Sequence, residues 1–202
     1  KALGLPFWLA GGTGSPEGLR AALDAGAVGI QVGTLFAYAD ESGIEPSLKA
    51  RVLEQARRGE IDVVTDLRAS PTGFPFKVVQ LEGTNSERSQ YEARKRVCDL
   101  GYLRTAYKRA DGRIAYRCAA EPVDTYLKKG GKLEDTVDRK CLCNALMADV
   151  GHAQIREDGP ERGVLTSGDD LAAINRFAAG RDGYSAGEVI DYLLSGLELE
   201  TA

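Results

Sequence analysis

Two short apolar runs, each closed by glycines and separated by one amphipathic stretch, restrict this chain more than any other feature. Pro6–Ala10 is apolar throughout and of strand length, and Gly11-Gly12-Thr13-Gly14 follows with the backbone freedom that a tight turn demands. Ser15 is a good N-cap, Pro16 suits the first helical position, Leu19, Ala22 and Leu23 recur at helical spacing, and Gly26 supplies a stop. Val28–Val32 is then a second apolar strand, ended by Gly33-Thr34. Strands joined through a helix run parallel, because the crossover returns the chain to the same end of the sheet. The expectation is a βαβ unit with both strands buried and its two glycine loops side by side.

Further along, Leu48, Val52, Leu53 and Ala56 share one face of a helix expected over Pro46–Arg58, with Gly59 as its stop. Ile61–Thr65 is a short strand candidate. The alternating rhythm ends there: Ser70–Phe76 reads as a turn-rich linker, and Lys77–Leu81 as another short strand. Thr105–Arg109 and Arg113–Arg117 alternate around Ala110-Asp111-Gly112, which is a hairpin signal. In the tail, Ser167 is placed to cap a helix over Asp169–Ala179. Ser185 and Glu188 match a capping box ahead of Val189, Ile190, Leu193 and Leu194. No internal repeat or low-complexity tract is present.

Of the 202 residues, 43% are hydrophobic, which is enough to build a core and excludes a disordered chain. The longest apolar runs, such as Gly4–Ala10, fall far short of the roughly 20 residues that span a bilayer, so membrane insertion is excluded as well. A net charge of −4 argues against a nucleic-acid coat. No basic segment followed by an apolar one opens the chain, so no secretory signal is read and a cytoplasmic location is expected. The chain opens with Lys1 and an apolar strand, an element that usually has neighbours on both sides, so an N-terminal part is expected to be missing.

Loops at the carboxyl ends of adjacent parallel strands point backbone N–H groups into one crevice, and glycine lets an anion approach them without a side chain in the way. In β/α barrels the loops after the last two strands commonly form such a phosphate site. Gly11, Gly12 and Gly33 have that placement, and Thr34 adds a hydroxyl donor. The same glycines also suit ordinary turns between strand and helix. Neither a GxGxxG fingerprint nor a GxxxxGK[ST] loop occurs, which disfavours the two common nucleotide grips.

Phe7–Glu17 and Ala25–Phe36, read as FWLAGGTGSPE and AGAVGIQVGTLF, resemble the last two βα units of the nitronate monooxygenase family, also called 2-nitropropane dioxygenases. Asp62–Thr65 and Ser70–Val79 are similar to the family as well, so the resemblance covers roughly residues 5–80. The tail from Glu82 resembles an extension found in some members. The resemblance implies an α/β chain: the C-terminal part of a TIM (β/α)8 barrel over 1–70, an irregular, partly basic, cysteine-containing α+β subdomain over 71–165, and C-terminal helices over 166–202 that pack back on the barrel. It further implies an FMN-dependent oxidoreductase that oxidises alkyl nitronates with O2, with Gly11 and Gly12 in one phosphate grip, Gly33 and Thr34 in the other, and Gln31 near the cofactor. The flavin carries that chemistry and the protein positions it. The expected partners are a small-molecule substrate and O2, with a second copy or an N-terminal barrel segment left open.

The chain departs from the family in holding only the final two or so of eight strands, and the family's catalytic histidine falls upstream of them. The single histidine, His152, lies in the tail and is expected to cap or hydrogen-bond locally, so no catalytic residue is assigned. The four cysteines, Cys98, Cys118, Cys141 and Cys143, fall within 46 residues of the tail at spacings C-x19-C-x22-C-x-C. Without paired CxxC knuckles no metal ligand is assigned. Reduced, buried thiols acting as small hydrophobes stand beside a four-thiolate zinc or iron–sulfur site as the alternatives. From Arg88 to Arg117 nine basic residues face three acidic ones, interleaved with Tyr91, Tyr102, Tyr107 and Tyr116. The segment fits a solvated strand face, an active-site cover or a small nucleic-acid-binding module, and nucleic acid is disfavoured as a partner. The rival to the flavoenzyme is a non-catalytic binding or structural fragment.

Overall fold

The computed structural model describes residues 3–168, 171–178 and 180–197. The chain forms two compact units, one from residues 1–61 with 167–202 and one from 62–166.

In the first unit, β1 (Trp8–Ala10), α1 (Pro16–Asp24) and β2 (Gly29–Gln31) form the expected βαβ crossover, with β1 and β2 parallel in the register Trp8↔Gly29, Leu9↔Ile30, Ala10↔Gln31. Then come α2 (Thr34–Ala37) and α3 (Pro46–Arg58). Ser15 Oγ accepts from the Gly18 amide at 3.0 Å, as a cap should. Helix α3 starts and stops where Pro46 and Gly59 place it, and Gly59 adopts φ 68° in the left-handed region that favours glycine. Glu45, at the N-cap, accepts from the Ser47 and Leu48 amides at 3.0 and 3.2 Å.

The second unit is built from hairpins and short helices. β3 (Asp62–Asp66) pairs antiparallel with β4 (Phe76–Gln80), and α4 (Arg88–Ala93) follows. β5 (Thr105–Lys108) and β6 (Ile114–Arg117) form the hairpin read from Ala110-Asp111-Gly112. α5 (Val123–Lys128), a 3-10 turn over Leu133–Thr136, α6 (Leu142–Asp149) and a two-residue antiparallel pair, β7 (Ile155–Arg156) with β8 (Gly159–Pro160), complete it. Its main apolar cluster is Ala69, Val78, Leu142, Ala145 and Val164, with Phe76 and Leu103 against it.

The chain then returns to the first unit with α7 (Leu171–Ala178) and α8 (Ala186–Leu194). α3 packs on α7 and α1 on α8, and α2 touches both terminal helices. Leu35, Tyr38, Val52, Ile174, Tyr184 and Val189 are buried in this unit. The Tyr184 hydroxyl donates to the Leu35 carbonyl at 2.8 Å, and the ring meets Phe177 edge-on at 4.9 Å. The capping box at Ser185 and Glu188 is present. The expected cap of α7 by Ser167 is not visible: residues 169 and 170 lie outside the described residues, and Ser167 Oγ is buried without a hydrogen-bond partner among the described ones.

Among the described residues the structure is mixed α/β with four two-stranded sheets, as expected of a chain holding only the last strands of a barrel, and no closed barrel forms. One expectation needs correction. The strands read as buried are open: Trp8 is 54% exposed, and Leu9 and Val28 are exposed too. A two-stranded parallel ribbon has two free edges and too little area to cover its own side chains; parallel strands become buried only when more strands and helices surround them. No helix among the described residues is long and apolar enough to cross a membrane.

Candidate functional site

The parallel register places the two loops of the first unit side by side. Ala10 stands opposite Gln31, so the segments that leave β1 and β2 start from the same level of the sheet. Gly11 and Gly12 adopt φ 82° and 68°, a conformation L side chains resist. A β-carbon added at Gly11, Gly12 or Gly33 would meet nothing within 4 Å, so their backbones border open space. No turn or loop hydrogen bond among the described residues uses the Gly11, Gly12, Gly33 or Thr34 amide.

Residues around these loops hold them in shape. Thr13 O accepts from the Ser15 amide at 2.9 Å, and the first turn of α1 packs directly on that segment. A β-carbon at Gly18 would lie 2.5 Å from the Thr13 carbonyl oxygen, so only glycine permits the approach. Gly33 precedes α2, with the Ala37 amide donating to its carbonyl at 2.9 Å. Thr34, the first residue of α2, turns its hydroxyl toward Gly168, where a β-carbon would sit 2.5 Å from Oγ1. Thr13 Oγ1 is buried with no partner among the described residues.

All five residues singled out from the sequence, Gly11, Gly12, Gln31, Gly33 and Thr34, therefore fall at one end of one parallel pair, with Gln31 exposed at the end of β2. Sequence reading passed over Gly18 and Gly168. Gly18 sits inside a helical pattern where glycine costs stability, and that anomaly is the signal that points to a close backbone approach. Nothing local marks Gly168, which reaches Thr34 through the tertiary fold.

His152 is exposed in the second unit, and its backbone amide donates to the Met147 carbonyl at 2.8 Å, a local closure of α6. A cleft of about 710 Å³ opens in that unit, lined in part by Asn85, Arg94, Arg156 and Glu161, and none of the loop residues borders it. Arg94 and Glu161 form a two-pronged ion pair there at 2.5 and 2.8 Å, with side chains only 12% and 4% exposed. The four cysteines are free thiols. Burial pushes the Cys118 thiol up to about 12, opposed in part by the Ala120 amide and reinforced by the other three sulfurs.

The positive charge of the β5–β6 hairpin is partly absorbed. Arg117 lies over the Tyr107 and Tyr126 rings at 4.9 and 5.2 Å and donates to the Lys129 carbonyl at 3.0 Å. Arg96 lies over Tyr91 and donates to its hydroxyl at 2.7 Å. These pairs take Tyr91 and Tyr107 into internal contacts, whereas Tyr102 and Tyr116 are exposed.

The sequence model of one family, nitronate monooxygenase, matches residues 1–176, which takes in the cysteine-bearing unit as well as the glycine loops. No curated protein and no solved structure matches the chain.

Proposed function

Since the chain belongs to the nitronate monooxygenase family, a family of oxidoreductases, we propose that its glycine loops form the phosphate side of an FMN site and that the chain serves oxidation of alkyl nitronates with O2. The observation that carries this reading is the open backbone at Gly11, Gly12 and Gly33, brought to the same end of a parallel strand pair. A phosphate monoester needs several N–H donors without side chains between them, and these turns offer that surface. When bound, FMN would supply the redox chemistry of nitronate oxidation, with Gly11, Gly12, Gly33 and Thr34 holding its phosphate.

The role of this chain's residues is to bind and orient. Gly11 and Gly12 present amides from one side and Gly33 and Thr34 from the other. Gly18 keeps α1 close enough to hold the first loop, and Gln31 extends from the end of β2 toward the same region. No proton-transfer residue is assigned within the chain. The exposed faces of Trp8, Leu9 and Val28 are where further strands and helices of a barrel would pack, which supports the barrel reading.

Titration of the purified protein with FMN and with riboflavin, followed by flavin fluorescence, tests the proposal. FMN is expected to bind at least about 100-fold more tightly than riboflavin, the worth of two or so charge-assisted hydrogen bonds. Gly12→Asp is expected to abolish the difference by placing a carboxylate in the grip. Equal affinity for the two flavins, or none for either, would overturn the reading.

A further inference from the structure

The four cysteines of the chain come from three separate segments of the second unit and meet in one place. Cys98 precedes the β5–β6 hairpin, Cys118 follows it directly, Cys141 is the N-cap of α6, and Cys143 lies in the first turn of that helix. Cys118, Cys141 and Ala120 are buried together, and Cys98 and Cys143 pack against them. Four thiols and one methyl group make a poor hydrophobic cluster next to the aliphatic one in the same unit, and no disulfide joins any of them.

Polar donors surround the sulfurs. The Ala120 amide lies near Cys118, and the Leu103 and Tyr102 amides near Cys143. Asn144 Nδ2 stands 3.4 Å from Cys141 Sγ, and the Arg104 guanidinium lies beside Cys98. Small hydrophobes have no use for such donors, whereas metal-bound thiolates are oriented and stabilised by them. The amino end of α6 adds a favourable partial charge at Cys141 and Cys143.

We propose that Cys98, Cys118, Cys141 and Cys143 form a four-thiolate site for one zinc ion, which ties the hairpin to the start of α6. Zinc displaces four thiol protons to solvent and keeps its oxidation state, and the doubly negative site that results is offset by Arg104 and the helix terminus. Among the described residues no three Cys, His, Asp or Glu side chains stand close enough to hold a metal ion as they are, so zinc binding requires the four sulfurs to draw together.

The full chain, expressed with zinc supplied and purified without chelator, is to be analysed for metal by mass spectrometry and for thiols with a disulfide-exchange reagent. One zinc per chain and four thiols that react only after chelation are expected. Cobalt titrated into the stripped protein should give tetrahedral absorption bands together with thiolate-to-cobalt charge transfer. Cys143→Ser, on the half-buried side of the cluster, should weaken zinc binding by more than about 100-fold, beyond the loss typical of outer-shell changes. If that variant fails to fold, the cobalt spectrum of the unmutated chain decides. Four reactive thiols with no bound metal, a disulfide among them, bound iron in place of zinc, or a cobalt spectrum without the charge-transfer band would overturn the proposal.

Discussion

The two units satisfy their backbones by different means. In the first, helix ends are closed locally: α1, α3 and α8 carry their own caps at Ser15, Glu45 and Ser185, each within three residues of the amide it serves, and bridges such as Tyr184 to the Leu35 carbonyl and Lys49 to the Ala39 and Asp40 carbonyls are added to these caps. The second relies on long-range polar bridges. Arg139 donates to the carbonyls of Leu67, Arg68 and Ser70 at 2.7–3.3 Å, Arg96 to Thr136 O at 2.8 Å, and Asn85 Nδ2 to Arg162 O at 2.7 Å. Helices that cap themselves tolerate loss of a single contact, because each contact holds one turn. Short hairpins and turns have few internal bonds of their own, so one arginine that joins several segments matters more.

This contrast is open to direct attack, and the harshest test falls on the second unit. Glu161→Ala strands the buried Arg94 charge and should cost about 3–5 kcal/mol in denaturant unfolding of that unit. A loss below about 1 kcal/mol would mean that the bridges are ornamental. Next comes Asp149, buried at the end of α6 with neither carboxyl oxygen partnered among the described residues; burial pushes its carboxyl up to about 7 from an ordinary 3.8. The folded state therefore holds a proton that the unfolded state releases, so this contribution is complete below about pH 4 and is lost as pH rises through 7. The ceiling is about 4 kcal/mol. Asp149→Asn should flatten stability over that range, and an unchanged slope would refute the assignment.

Smaller effects are expected in the first unit. Gly18→Ala forces α1 away from the Thr13 carbonyl and should cost about 1–3 kcal/mol, with weaker FMN binding as the more telling readout. Ser185→Ala removes a capping box and should cost about 1 kcal/mol, seen as a small drop in thermal midpoint with flavin affinity intact. If Ser185→Ala proved as damaging as Glu161→Ala, the contrast between the units would fail.

Legibility in the sequence follows the same division. Ser15-Pro16, Pro46 to Gly59, Asp111-Gly112 and Ser185 with Glu188 each announce an element through contacts within a few residues, and each element stands where it was read. The loop glycines were legible because positive φ, at Gly11 and Gly12, and open approach, at these two and at Gly33, are local demands on the backbone. The exposure of β1 and β2 was not, since an apolar run looks the same whether or not neighbours cover it. The β7–β8 pair, the burial of Asp149 and the contact of Gly168 with Thr34 left no local trace either.

Capping chemistry, side-chain periodicity and the conformational range of glycine act over one or two turns of chain, so residue order alone was enough to set α1, α3, α8, the β5–β6 hairpin and the paired glycine loops, whereas the short helices α2, α4, α5 and α6 were not read. Which faces stay open, which charges are buried together and which cysteines share a cluster depend on segments far apart in the chain. Those outcomes turn on burial and pairing through space, and only the packed fold could decide them.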